Sequence, residues 1–393
     1  MPKSDNIIAA PLPSRPADGK FRLRFLAVRS GIDMPFLIIM MIILVVGLIS
    51  LFSASFAYSF YWYDGDSYWF IKRQLMFAVG GVILMFIISM INYHVLHRFA
   101  VVFMVIAVAL LLLVLVMSSS DGVRRWIRLP FVQFQPSEFA KFALIVLFAH
   151  LISLNHKKMK TFTQGYLPFM VILGIVCGLV VIEPHLSGTI LLLAIGLVMM
   201  YIGGTRLLYL LSTLGVGGAA AAYMVLARGY ELERISVWLN PFAAESLQGD
   251  AWQTVQSLYA IGSGGLMGQG IGNSRQKHLF LPEPQNDFIF SVFCEEMGFI
   301  GAILIIALFA LLVWRGFVIG MRAPDKFGSL LAIGLTAQVG LQVALNIAVV
   351  TNTIPNTGIS LPFFSYGGTS LIMLLMQMGV VLSVSRYVSA EKT

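Results

Sequence analysis

Runs of about 20 apolar residues recur along this chain, each long enough to cross roughly 30 Å of hydrocarbon as a helix. They start near Met34, Arg73, Arg98, Glu138, Tyr166, Pro184, Leu207, Asp287, Phe327 and Thr369. Backbone inside lipid must satisfy its own N–H and C=O groups, and apolar runs of this length do so as helices. The expectation is an all-α, polytopic membrane protein with about ten transmembrane helices. With 58% hydrophobic and 11% charged residues among 393, one integral domain spans 31–388 and little remains for a separate soluble one. The first run ends in small residues that mimic a signal-peptidase site, but it is too long for such a signal and more spans follow, so it reads as uncleaved.

Orientation follows from the loops richest in Lys and Arg. Lys3, Arg15, Lys20, Arg22, Arg24, Arg29, Arg98, Lys157, Lys158, Lys160, Arg206, Arg315, Arg322, Lys326, Arg386 and Lys392 share one side if the N-terminus is cytoplasmic. Both termini are then cytoplasmic, residues 1–30 forming a basic flexible tail on an anionic leaflet and 389–393 a short C-terminal tail. The largest extracytoplasmic loop, 228–286, falls between the seventh and eighth spans. The net charge of +8 is scattered and no aromatic-basic module accompanies it, which excludes nucleic acid as a partner. Cys177 and Cys294 lie in apolar runs without ligand spacing and read as packing residues; no metal site is implied.

Cations that defy the positive-inside bias carry more information. Lys72 and Arg73 open the second span, Arg124, Arg125 and Arg128 precede the fourth, and Lys141 lies a turn inside it, after Ser137 as its expected N-cap. Snorkelling at an interface is the plain reading of such residues, but an ammonium at the depth of Lys141 needs a partner or a task. Glu138, three residues earlier on the same face, is one partner; Glu295 or Glu296 is another. In the long loop, "WQTVQSLYAI" has the pattern of a short amphipathic helix lying on the bilayer. The glycines after it, "GSGGLMGQGIG", follow no strand and close on no Lys-Ser/Thr pair, which argues against a nucleotide site. They suit backbone turned tightly against a ligand or a helix, with Arg275 and Lys277 nearby. Pro282 and Pro284 then stop any helix before Asp287, which stands at the start of the eighth span as an N-cap or as something chemically active. An outer cavity lined by acids and cations suits a charged amphiphile.

The stretches "KRQL" at 72–75, "GVRRWIRLPFVQFQPSEFAKF" at 122–142, "EPHLSGT" at 183–189, "VQSLYAIGSGGLMGQGIGNSRQKHLFLPE" at 255–283, "NDFIFSVFCEEMGFIG" at 286–301 and "NTGISLPFFSYGGTSL" at 356–371 together resemble the SEDS family (shape, elongation, division and sporulation), the FtsW, RodA and SpoVE group of peptidoglycan glycosyltransferases. The resemblance implies a ten-helix bundle that polymerises lipid II into undecaprenyl-linked glycan at the outer face of the cytoplasmic membrane. It also implies a class B penicillin-binding protein as partner, beside other divisome or elongasome membrane proteins. Asp287 falls on the family's catalytic aspartate, a general base for an inverting transfer. Lys72, Arg73, Arg125, Glu138, Lys141, Arg275, Lys277 and Glu296 are candidate substrate contacts. A divalent cation such as Mg2+ would share the pyrophosphate charge. The chain departs from the family pattern at His185, Leu186 and Ser187, where Asp-Leu-Gly or Asp-Phe-Gly is frequent, and at Gln285 and Asn286, where His and Thr are. A lipid-linked precursor flippase and a non-catalytic membrane scaffold are the rival readings.

Overall fold

A computed structural model describes residues 31–117, 125–128, 133–183, 185–227, 230–243 and 251–390. Residues 1–30 and 391–393, Arg124 and parts of the long loop lie outside them, whereas Ser389 and Ala390, expected in the C-terminal tail, continue the last helix. Among the described residues twelve α-helices follow one another: α1 (Met34–Trp62), α2 (Trp69–Met90), α3 (His94–Val116), α4 (Pro136–Asn155), α5 (Leu167–Ile182), α6 (Leu186–Ile202), α7 (Leu207–Ala227), α8 (Tyr230–Leu239), α9 (Trp252–Ser263), α10 (Ile289–Met321), α11 (Lys326–Val350) and α12 (Gly368–Ala390). A two-stranded antiparallel hairpin, β1 (Ile127–Arg128) with β2 (Gln133–Phe134), precedes α4. Among the described residues eight helices are long and apolar enough to cross a membrane, and α6 and the first part of α7 are shorter apolar helices. The protein is an integral membrane protein.

The central helices α4, α11 and α12 are largely buried, whereas α2, α3 and α5 show most of their apolar surface, as helices on the lipid side of a bundle must. The ends of the described chain meet on one side. Asp33 caps α1 through the Phe36 N–H, pairs with Arg315 at 2.8 Å, and donates its own N–H to Ser385 Oγ at 3.1 Å.

Two helices lie in the long loop. Asn352, at the end of α11, exchanges hydrogen bonds with Trp238 of α8. α9 forms where the amphipathic pattern predicts a helix. Its Thr254, Val255, Gln256, Ser257 and Ala260 are buried, and Ser257 bonds Ser291 of α10 and the Val350 carbonyl of α11. The side of α9 that carries Thr254, Gln256 and Ser257 beside Val255 and Ala260 therefore packs on the bundle, and Tyr259 stays exposed.

α10 is not one straight rod. Its 33 residues would span about 50 Å, well beyond the hydrocarbon core. The run breaks at Gly298, whose φ of 68° and ψ of −171° suit glycine alone. A straight helix would separate Phe293 from Phe309 by about 24 Å, yet both rings pack on Phe364 with centroids 5.7 and 6.0 Å away. The break strands backbone groups, and the glycine-rich segment satisfies them. The Glu295 and Glu296 carbonyls accept the Gln269 and Gly270 N–H groups, while the Phe299 and Ile300 N–H groups donate to the Gly265 and Leu266 carbonyls. A Cβ at Gly268 would collide with the Glu296 carbonyl. Of the two roles open to these glycines, the structure shows close approach to a helix.

Candidate active site

Asp287 sits between the turns enforced by Pro282 and Pro284 and the first residue of α10. The helix takes Phe288 as N-cap and makes no side-chain cap bond, so the Asp287 carboxyl is not used for capping. The backbone around it is pinned from three directions. Asn346 Nδ2 donates to the Asp287 and Ile359 carbonyls at 2.8 and 2.6 Å. Ser365 Oγ donates to the Asn286 carbonyl, and the Tyr366 N–H to that of Gln285, each at 2.8 Å. Segment 356–367 thus closes over the aspartate, so tightly that a Cβ at Gly358 would stand 3.0 Å from Asp287 Oδ2. Burial pushes the Asp287 carboxyl up to about 6; the Glu283 charge adds to the rise and Arg125 opposes it.

Arg125, just before the hairpin, acts on two further groups. Glu183, at the end of α5, is 0% exposed. Neither carboxyl oxygen has a hydrogen-bond partner among the described residues. Burial raises it to about 8 against the pull of Arg125, so it holds its proton at neutral pH. His185, the N-cap residue of α6, is driven down to about 3 by burial and by the charges of Arg125 and Lys141, and is neutral. Its Nδ1 lies 3.4 Å from both Gln135 Nε2 and Ser137 Oγ.

Lys141 Nζ bonds Glu138 Oε1 at 2.8 Å, with the Lys141 side chain only 4% exposed. Of its expected partners, the neighbour on its own helix is the one found; Glu295 and Glu296 are engaged elsewhere. Ser137 is not the N-cap of α4 either. Pro136 takes the first helical position, which makes Gln135 the cap residue and turns Ser137 toward His185. Glu138 also lines a small cavity of about 30 Å³ with Gln338, Gln342, Gln377, Ser360, Ser365 and Tyr366, beneath the segment that closes over Asp287.

The other expected contacts lie apart from this group. Lys72 forms an exposed pair with Asp66 at 3.0 Å, and Arg73 stacks on Trp69, 4.0 Å from the ring centroid, in the aromatic cluster where α1 and α2 meet. Lys277 and Glu296 are buried in an ion pair at the break of α10. The Arg275 side chain is exposed, and its N–H donates to Glu295. Glu183 and His185 went unrecognised as site residues in the sequence. The available signal was a glutamate closing an apolar run directly before proline, which by itself reads as an interfacial helix end.

Residues 34–390 match the family described as Cell cycle protein, FtsW/RodA/SpoVE. Among relatives, the chain is 42% identical over 358 residues to Stage V sporulation protein E of Bacillus subtilis, covering 90% of this chain and 97% of that protein. It is 41% identical over 323 residues to the probable peptidoglycan glycosyltransferase FtsW of Trichlorobacter lovleyi, covering 81% and 84%. Among solved structures, a chain of a peptidoglycan synthase complex that coordinates polymerization and crosslinking superposes with TM-score 0.72 at 27% identity, over 91% of this chain and 98% of that one. The rod shape determining protein RodA of Thermus thermophilus gives TM-score 0.67 at 27% identity, with the same coverage of both chains.

Proposed function

From the fact that this chain belongs to the FtsW/RodA/SpoVE family of cell cycle proteins, we propose that it polymerises lipid II into glycan strands at the outer face of the cytoplasmic membrane, with Asp287 as general base. The observation that carries the reading is a carboxyl free of capping duty, half-ionised near pH 6 and electrostatically coupled to Arg125. Above that pH it takes the proton of an acceptor sugar hydroxyl as the hydroxyl attacks the anomeric carbon of the donor. The bond to the departing lipid pyrophosphate breaks on the opposite face, so a single displacement inverts the centre. Arg125 and Lys141 offset the charge that develops on the pyrophosphate. Protonated Glu183, buried under the same cation's influence, adds no negative charge to the site. Among the described residues no three or more His, Cys, Asp or Glu side chains are grouped as metal ligands. In this reading Mg2+ is a counter-ion of the pyrophosphate.

The partner in this reading is a class B penicillin-binding protein, which cross-links the strands. Reconstitution of the purified chain and such a partner with lipid II tests the proposal. Glycan strands are expected; headgroup translocation without strands would make the protein a flippase, and neither product would make it a scaffold.

The site faces outward if both termini are cytoplasmic. Single cysteines at His278 and Lys157, both exposed, are placed in a chain lacking Cys177 and Cys294. An impermeant maleimide added to intact cells is expected to label position 278 and spare 157; the opposite pattern reverses the orientation.

A further inference from the structure

Glu295 and Glu296, adjacent at the broken end of the first half of α10, are 1% and 4% exposed. Neither reaches the recess around Asp287. Glu296 Oε1 accepts from Lys277 Nζ at 2.9 Å and from Ser53 Oγ of α1 at 2.6 Å, and the Lys277 ammonium also donates to Ser53 at 2.9 Å, closing a triangle. Glu295 pairs with no cation among the described residues. It collects hydroxyl donors from Ser263 and Ser274 and the N–H groups of Arg275 and Gln276. Lys277 is itself 3% exposed and committed to this triangle, so its charge is spent inside the protein.

A buried ion pair adds little stability over an apolar packing, but removing one member is costly, which makes such pairs devices for holding one geometry. The geometry held here is specific. Chain 274–277 and the end of the half-helix are fastened together, and the chain between them runs out through the left-handed Leu279 and Glu283 and returns through Asp287. Trp252 Nε1 and Gln253 Nε2 of α9 hold the Phe280 and Pro282 carbonyls along the way. The half-helix cannot draw its direction from the rest of α10, because the hydrogen-bond ladder is interrupted at Gly298.

We propose that Lys277, Glu296 and Glu295 are positioning residues: they form a buried clasp that fixes the half-helix of α10, and with it Asp287, against α1. The proposal rests on Asp287 as the base. It replaces substrate contact by Lys277 and Glu296 with action at a distance, through the chain they fasten.

The test uses the full chain with its penicillin-binding partner in lipid nanodiscs, comparing wild type, Lys277→Met, Glu296→Gln and the exchanged pair Lys277→Glu with Glu296→Lys. Polymerisation of lipid II gives kcat and KM; spin labels on cysteines at Phe280 and Thr351, in a chain lacking Cys177 and Cys294, give the distance distribution across the site. The single variants are expected to lose about ten- to a hundredfold in kcat with KM within twofold of wild type, and to broaden the label distribution. The exchanged pair should recover at least tenfold in kcat and the narrow distribution. A raised KM with kcat kept would make Lys277 a substrate contact and overturn the proposal. So would lost activity with unchanged distances, or unchanged activity and distances. Asp287→Asn, labelled in the same way, keeps the two hypotheses apart: if it still polymerises, the base assignment fails, while broadened distances in Lys277→Met would still show the clasp holding the segment. Should Lys277→Met fail to fold, Glu296→Gln, which keeps an acceptor for Ser53, carries the same measurements.

Discussion

Replacing Asp287 by Asn is expected to lower lipid II polymerisation by about 10² to 10⁴, the usual loss on removing a general base, if the proposed role of the carboxyl holds. The comparison is made at equal amounts of folded, partner-bound protein, with penicillin present to silence cross-linking. Activity of Asp287→Asn within a few-fold of wild type would require another base. Wild-type activity should also fall as pH drops through about 6, where the carboxyl takes up its proton. Stability moves the other way. A carboxyl whose folded pKa lies above its unfolded value binds protons more readily in the native state, so its contribution declines as pH rises from about 4 to about 6. Asp287→Asn removes that decline. The variant is therefore expected to melt above wild type at pH 7.5 and close to it near pH 4, a signature that a merely damaged protein would not give.

Lys141→Met produces the second large effect. Breaking a buried pair from one side typically costs about 3 to 5 kcal/mol, because the Glu138 carboxylate is left without its ammonium. Melting in detergent should fall sharply for Lys141→Met and recover most of the loss in Lys141→Met with Glu138→Gln. Polymerisation separates the two duties of the lysine. If it also steadies pyrophosphate, the double variant is stable but nearly inactive. Full activity in the double variant would confine Lys141 to holding Glu138.

Helix positions were legible because a bilayer imposes a length on apolar runs. Their starts were less so. The second and third helices begin at Trp69 and His94, a turn before Arg73 and Arg98, since aromatic and polar residues at an interface continue a helix that hydropathy alone would end. Neighbours within one helix could also be read, and Glu138 with Lys141 follows from a three-residue spacing. Contacts between helices could not. Glu295 and Glu296 stand in the sequence as candidate partners of Lys141, whereas they turn to Ser53 and to residues 263–277, which dock where the helix breaks at Gly298, and a single glycine in an apolar run gives little warning of a break. The same break hid the destination of Lys277. At the site itself, Asp287 stood out because prolines isolate it, whereas Glu183 was concealed by its place at an ordinary helix end.

The clasp also bears on the order in which the protein is made. The hydrogen bonds that close the break in α10 come from its N-terminal side: the glycine segment, Ser274 to Lys277, and Ser53 of α1. Once the ribosome has released the second half of α10, every partner of Glu295 and Glu296 has already been synthesised. Asn346 and segment 356–367, which close over Asp287, come later. A nascent chain ending at Met321 would thus carry the aspartate on a fastened arm with nothing above it. The recess around Asp287 is completed only by Asn346 of α11 and the segment that follows that helix, so a product interrupted at Met321 would have the clasp without the recess.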